Sequence, residues 1–151
     1  MGVQEGELVR RVYAAFNRRD LEGGLQHLAP AVTWQMSDRF ARRQRVLHGH
    51  DGVREVVGLF DEALEDFRVE PVALHEAPGV VVAELRAAGR VRGTGDVTGY
   101  DLVQVWRIDG RMATTIEAYA TLEDAWPAAG MTPPAPSSAS ISPPESGRAN
   151  R

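Results

Sequence analysis

The chain has 151 residues, 43% of them hydrophobic, a formal net charge of −4, and neither cysteine nor lysine. That length suits one packed core, and charge scattered without blocks gives no footprint for nucleic acid and no polybasic membrane anchor. The missing cysteines and lysines remove disulfides, thiolate metal sites, thiol nucleophiles and Schiff-base chemistry, and no leader or membrane-span pattern opens the chain, so the expectation is a soluble, cytoplasmic protein.

Over residues 7–16, Leu8, Val9, Val12, Tyr13 and Phe16 recur at helical spacing, with Arg10 and Arg11 on the opposite side. This predicts an amphipathic first helix, stopped by Asn17 in a left-handed conformation. Asp20 is placed to cap a short second helix carrying Leu21, Leu25 and Leu28 before Pro30. Residues 31–36 alternate as a strand, with Val32, Trp34 and Met36 on one side and Thr33 and Gln35 on the other. The arginine-rich stretch 38–50 is weakly periodic and reads as a loop with at most one helical turn. Asp51 is then the expected cap of a longer helix, ending near Asp66, whose buried stripe is Val53, Val56, Val57, Phe60 and Leu64.

Residues 67–76 and 80–91 read as two strands joined at Pro78-Gly79. Glycine-marked bends at Gly93, Gly95 and Gly99 lead into a terminal hairpin at 100–121, turned at Asp109-Gly110. Counting outward from that turn sets Ile108 opposite Arg111, Trp106 opposite Ala113, Gln104 opposite Thr115, Leu102 opposite Glu117 and Tyr100 opposite Tyr119. One hairpin face is then polar and aromatic, and the other, with Val103, Val105, Thr114, Ile116 and Ala118, is a packing surface. Residues 122–129 can add a closing helix, weakened by Pro127.

Helices first and strands last argue for an α+β domain, a largely antiparallel sheet covered by helices on one side. The domain is expected to span residues 5–130. Residues 131–151, rich in Pro, Ser and Ala with scarcely a large apolar side chain, form an expected disordered tail.

Four segments together resemble the nuclear transport factor 2-like superfamily and, within it, its SnoaL-like branch. They are Phe16-Asn17-Arg18-Arg19-Asp20 at the end of the first helix, Leu28-Ala29-Pro30-Ala31-Val32-Thr33-Trp34, His48-Gly49-His50-Asp51-Gly52-Val53-Arg54-Glu55, and Val105-Trp106-Arg107-Ile108-Asp109-Gly110-Arg111. The resemblance implies a cystatin-like cone, a curved sheet wrapped by N-terminal helices around a ligand space, and a homodimer through the outer sheet face. Relatives include ketosteroid isomerases, polyketide cyclases, epoxide hydrolases, dehydratases and proteins with no catalytic role, so function has to come from the site. The ketosteroid isomerase pattern does not carry over: its tyrosine falls on Val12, its base on Met36 and its second acid on Leu102, with Tyr13 and Asp101 each one residue off.

On that fold the polar hairpin face is expected to look into the cone, with Gln104, Trp106, Thr115, Glu117 and Tyr119 beside Tyr13, Trp34 and Met36. These residue types suit a small, hydrophobic or polycyclic metabolite. Glu117 is the candidate general acid or base, its pKa raised by an apolar wall, and Tyr119 or Tyr100 the candidate donor to an oxyanion. Cyclisation, isomerisation or dehydration without a cofactor is one reading, and a non-catalytic ligand-binding or dimerisation module is the other, in which Glu117 is an ordinary surface acid. Glu84 and Arg86 share a face of their strand, either exposed or turned inward as a clamp. His48 and His50 flank Gly49 at a spacing a metal can use, but no third ligand is visible, and no metal site is expected.

Overall fold

The computed structural model describes residues 2–36 and 45–133. In chain order they form α1 (Gly2–Asn17), α2 (Leu21–Leu25), β1 (Leu28–Met36), β2 (Arg45–His48), α3 (Gly49–Ala63), β3 (Leu64–Ala77), β4 (Val80–Val91), β5 (Val97–Asp109), β6 (Met112–Tyr119) and α4 (Leu122–Ala129). The six strands make one sheet in the order β2-β1-β6-β5-β4-β3, antiparallel throughout except where β1 runs parallel to β6. This is the expected α+β architecture, and none of the described helices is long and apolar enough to cross a membrane.

The expected stripe of α1 is buried as Leu8, Val9, Val12 and Tyr13, joined by Ala15. It packs on the inner sheet face with Val81, Ala83, Leu85 and Ala87 of β4, Trp106 and Ile108 of β5, and Val32, Trp34 and Met36 of β1. The α3 side chains Val53 and Val56 complete this main core. A smaller core lies on the outer face, where α4 lays Ala125, Trp126 and Ala129 over Val80, Val82, Val103 and Val105. Pro127 does not prevent α4: Thr121 caps its start by accepting from the Asp124 N–H, and Gly130 at φ 70° ends it in the left-handed region.

Three local expectations are corrected. Asn17 is the last residue of α1 and does not supply the left-handed stop; Arg19 does, at φ 66°. Asn17 instead pairs its side-chain amide with the main chain of Val69, donating to the carbonyl at 2.9 Å and accepting from the N–H at 2.9 Å, as a neighbouring strand would. Residues 45–48 are a strand, not a loop, because they pair antiparallel to 33–36 and bury Leu47; residues 37–44 of that stretch lie outside the described residues. The longer helix starts after His48, and Asp51 sits inside its first turn holding Arg54 at 2.8 Å, so it is not the cap. Asp20 does cap α2, accepting from the Gly23 N–H. Of the expected tail, residues 134–151 lie outside the described residues.

The terminal hairpin departs from the expected register twice. Asp109 pairs with Met112 and Ile108 with Ala113, so the turn is Gly110-Arg111, with Gly110 at φ 67°. That two-residue slide keeps every side chain on its expected face. Between Ile108 and Arg107, however, the pairing jumps from Ala113 to Thr115, leaving Thr114 as an extra residue whose hydroxyl donates to the Arg107 carbonyl at 3.2 Å. Such a bulge reverses the face of everything beyond it. Beyond Thr114, β6 therefore turns Ile116 and Ala118 inward and Thr115, Glu117 and Tyr119 outward, level with Arg107, Val105 and Val103.

Because Asn17 closes two main-chain groups of β3 at once, its replacement strands both. Asn17→Ala is expected to lower unfolding free energy by about 1–3 kcal/mol in urea denaturation, with the midpoint shifting and the m-value unchanged.

Candidate functional site

The helix α1 delivers Tyr13 to the middle of the inner sheet face, where its hydroxyl donates to Gln104 Oε1 at 2.6 Å. The indole N–H of Trp106, two residues along the same strand and so on the same face, donates to that oxygen at 2.8 Å. Gln104 is the one polar side chain among the buried residues described, 2% exposed. Two donors on its carbonyl oxygen settle which end of the amide is which. Its NH2 end has no acceptor among the described residues and is the group offered to the space in front of it.

That space is a cavity of about 60 Å³. Tyr13 and Gln104 form its polar end, and its walls include Phe16, Trp34, Phe60, Phe67, Tyr100 and Leu102. Phe16 reaches this position because Gly24 of α2 has no side chain; a Cβ there would come within 2.3 Å of the Phe16 ring. Tyr13 meets Phe16 and Trp106 edge-on, with ring centroids 6.1 and 5.7 Å away, and Phe60 of α3 stacks on Phe67 of β3 at 4.8 Å. A groove of about 300 Å³ adjoins the cavity and shares Phe16, Arg19, Val57 and Phe67 with it.

Burial drives the Tyr13 phenol far above its ordinary range, and the bond to Gln104 only partly opposes this. The group therefore stays a neutral donor and cannot serve as a base near neutral pH. Among the described residues, no carboxylate and no histidine lines the cavity.

The structure brings three of the expected ligand-binding residues, Tyr13, Trp34 and Gln104, to the cavity wall. Met36 and Trp106 share the inner face but lie in the packed core, Trp106 directly behind Gln104. Thr115, Glu117 and Tyr119 are not in the cone; the Thr114 bulge turns them to the outer face beside Thr33 and Gln35 of β1. There Tyr119 donates to Glu117 at 3.2 Å, and its phenol is raised by burial first and by the Glu117 charge second. Glu84 and Arg86 also face outward, each with a different partner: His75 contacts Glu84 at 2.6 Å and Arg86 contacts Asp101 at 3.0 Å. His50 bonds the Leu28 carbonyl at 2.9 Å, and no group of three or more metal-binding side chains occurs among the described residues. Sequence reasoning did not assign Phe16, Phe60 or Phe67 to the site, although Phe16 and Phe60 lie on the stripes of α1 and α3 one turn past Val12 and Val56.

A family model for the SnoaL-like domain matches residues 9–115. The chain belongs to the SnoaL-like family. Its fold is that of nuclear transport factor 2-like proteins such as one of unknown function from Burkholderia pseudomallei, 27% identical, with 81% of this chain and 94% of that one covered at a TM-score of 0.69. A nuclear transport factor 2-like protein from Burkholderia thailandensis is 25% identical, with coverages of 83% and 96% and a TM-score of 0.67. TerC, crystallised with polyporic acid, is similar at 23% identity, with coverages of 81% and 95% and a TM-score of 0.69. Among curated proteins none matches the sequence. The SnoaL-like match stops two residues short of Glu117, and it contains Tyr13, Trp34 and Gln104.

The buried phenol has a measurable consequence. A raised folded pKa means that the native protein keeps the Tyr13 proton while the unfolded chain releases it from about pH 10 upward, so this stabilisation is complete below that pH and is lost as pH climbs toward the folded value. In urea titrations between pH 10 and 11.5, Tyr13→Phe is expected to flatten the fall in stability by up to about 1.4 kcal/mol per pH unit relative to wild type.

Proposed function

We propose that this SnoaL-like protein binds a small, mainly apolar molecule carrying one carbonyl or hydroxyl oxygen, without turnover by the outward-facing Glu117 and Tyr119. The carrying observation is the doubly bonded Gln104 carbonyl: with Tyr13 and Trp106 holding the oxygen, the amide NH2 is left as an oriented donor at the end of an aromatic-walled space. A donor held in place before binding loses little freedom when a ligand oxygen meets it, and the rings supply apolar area.

The cavity as it stands has room for about two waters. A bicyclic ligand fits when the stacked Phe60 and Phe67 rings swing aside and join the cavity to the adjoining groove. Both rings are half-buried and sit on separate elements, α3 and β3, so such a movement breaks no main-chain pairing. Glu117 and Tyr119 face the other side of the sheet, which favours binding over general acid or base chemistry by that pair.

The test uses 2-naphthol as probe in isothermal titration calorimetry. Wild type is expected to bind it, Gln104→Met to bind about tenfold more weakly for loss of the amide donor, and Leu102→Trp, which fills the space, not to bind at all. Leu102→Trp that remains folded and binds 2-naphthol like wild type would falsify the cavity reading.

A further inference from the structure

Arg19 sits where the chain leaves α1, in a left-handed conformation at φ 66° that disfavours any residue with a Cβ. Glycine or asparagine serves such a turn without strain, so an arginine there calls for a reason in its side chain. Its Nη1 donates to the Phe67 carbonyl at 3.0 Å and to the Phe16 carbonyl at 3.5 Å. Those two bonds steer the guanidinium across the gap between α1 and β3 and leave Nε and Nη2 without a partner among the described residues. The neighbouring arginines are committed elsewhere: Arg18 contacts Asp20 at 3.4 Å, and Arg54 contacts Glu22 at 3.1 Å and Asp51 at 2.8 Å. Arg19 also lines both the aromatic cavity and the groove outside it.

Among the described residues, the other charged groups on the groove are Arg54 and Asp61. Asp61 faces Arg92, whose Nη2 lies 3.9 Å from its carboxylate and whose Nε donates to its main-chain carbonyl. The mouth of the cavity therefore offers an open, planar pair of N–H donors carrying a full positive charge, opposed among the described residues by one carboxylate that already has a cation beside it.

We infer that the ligand is an organic anion, an apolar ring body whose carboxylate or comparable acid group docks on Arg19 at the mouth while the opposite end reaches Gln104. This rests on the binding function proposed above and adds the charge of the ligand to it. Guanidinium suits the role because its fork meets two oxygens of a carboxylate at once, and because the Phe67 and Phe16 carbonyls hold it in place before the ligand arrives. The residue thereby sets specificity at the rim, while the interior sets shape.

The experiment compares 2-naphthol with 6-hydroxy-2-naphthoate, the same ring and hydroxyl with a carboxylate added at the far end. Wild type is expected to bind the acid roughly tenfold more tightly at low salt, with the advantage shrinking as ionic strength rises. Arg19→Gly relieves the strained turn and removes the cation; it should hold the melting temperature within about 4 °C and abolish the preference for the acid over 2-naphthol. Arg19→Lys, which keeps the charge and loses the fork, should retain part of that preference. A preference for the acid that survives Arg19→Gly, or a wild type that binds 2-naphthol better than the acid, overturns the inference. Failure of the parent reading looks different, since 2-naphthol itself then does not bind wild type or ignores Leu102→Trp.

Discussion

One side-chain oxygen organises this molecule. Gln104 Oε1 accepts one hydrogen bond from Tyr13 on α1 and another from Trp106 on its own strand, in a buried part of the fold. Each such bond contributes about 1 kcal/mol net, but the cost of leaving any of the three groups unmatched is about 1–3 kcal/mol, so the arrangement is strongly preferred over its alternatives. It fixes how far α1 can slide over the sheet, it keeps the Tyr13 phenol buried where desolvation holds it neutral, and it decides that the amide nitrogen is the end left for a ligand. The aromatic walls supply apolar area, and this oxygen supplies direction.

Much of the fold was legible from residue spacing. The stripe Leu8, Val12, Tyr13 and Phe16, the alternation of Val32, Trp34 and Met36, and the turn at Pro78-Gly79 all report local preferences that tertiary packing then reinforces. The four quoted segments likewise pointed to the SnoaL-like cone, which the domain match and the structural neighbours bear out. What escaped was the hairpin beyond Thr114. A turn-based count assumes an unbroken ladder, but β6 has to pair with β5 on one side and with parallel β1 on the other, and one extra residue reconciles the two. Thr114 is stabilised by a bond to the Arg107 carbonyl that exists only once the bulge has formed, so the sequence carries no local mark of it. That single residue moves both Glu117, the expected acid or base, and Tyr119, the expected oxyanion donor, out of the cone.

Smaller misreadings have the same origin. Asn17 and Arg19 both suit the end of a helix, but Asn17 was needed by the main chain of Val69, fifty-two positions away, and the left-handed residue fell two places later. The strand at 45–48 has only four residues, too few for a period to show, and is defined by its partner β1. In each case a non-local pairing overrode a local preference. Half of the cavity's aromatic wall was hidden for a related reason: Phe16 and Phe60 sit on stripes that read as core, and only the curvature of the sheet leaves space in front of them.

The inner and outer sheet faces carry different chemistry. The inner face is aromatic and aliphatic around one amide; the outer face holds the small core under α4, the His75 and Glu84 pair, and the Glu117 and Tyr119 pair. Placing the ligand inside is therefore the central claim, and side-chain amide NMR addresses it most directly. On titration of nitrogen-15 labelled protein with 2-naphthol, the NH2 cross-peaks of Gln104 should shift saturably while the backbone amides of Glu117 and Tyr119 stay where they are. Movement of the Glu117 and Tyr119 peaks with a stationary Gln104 NH2 would contradict the account.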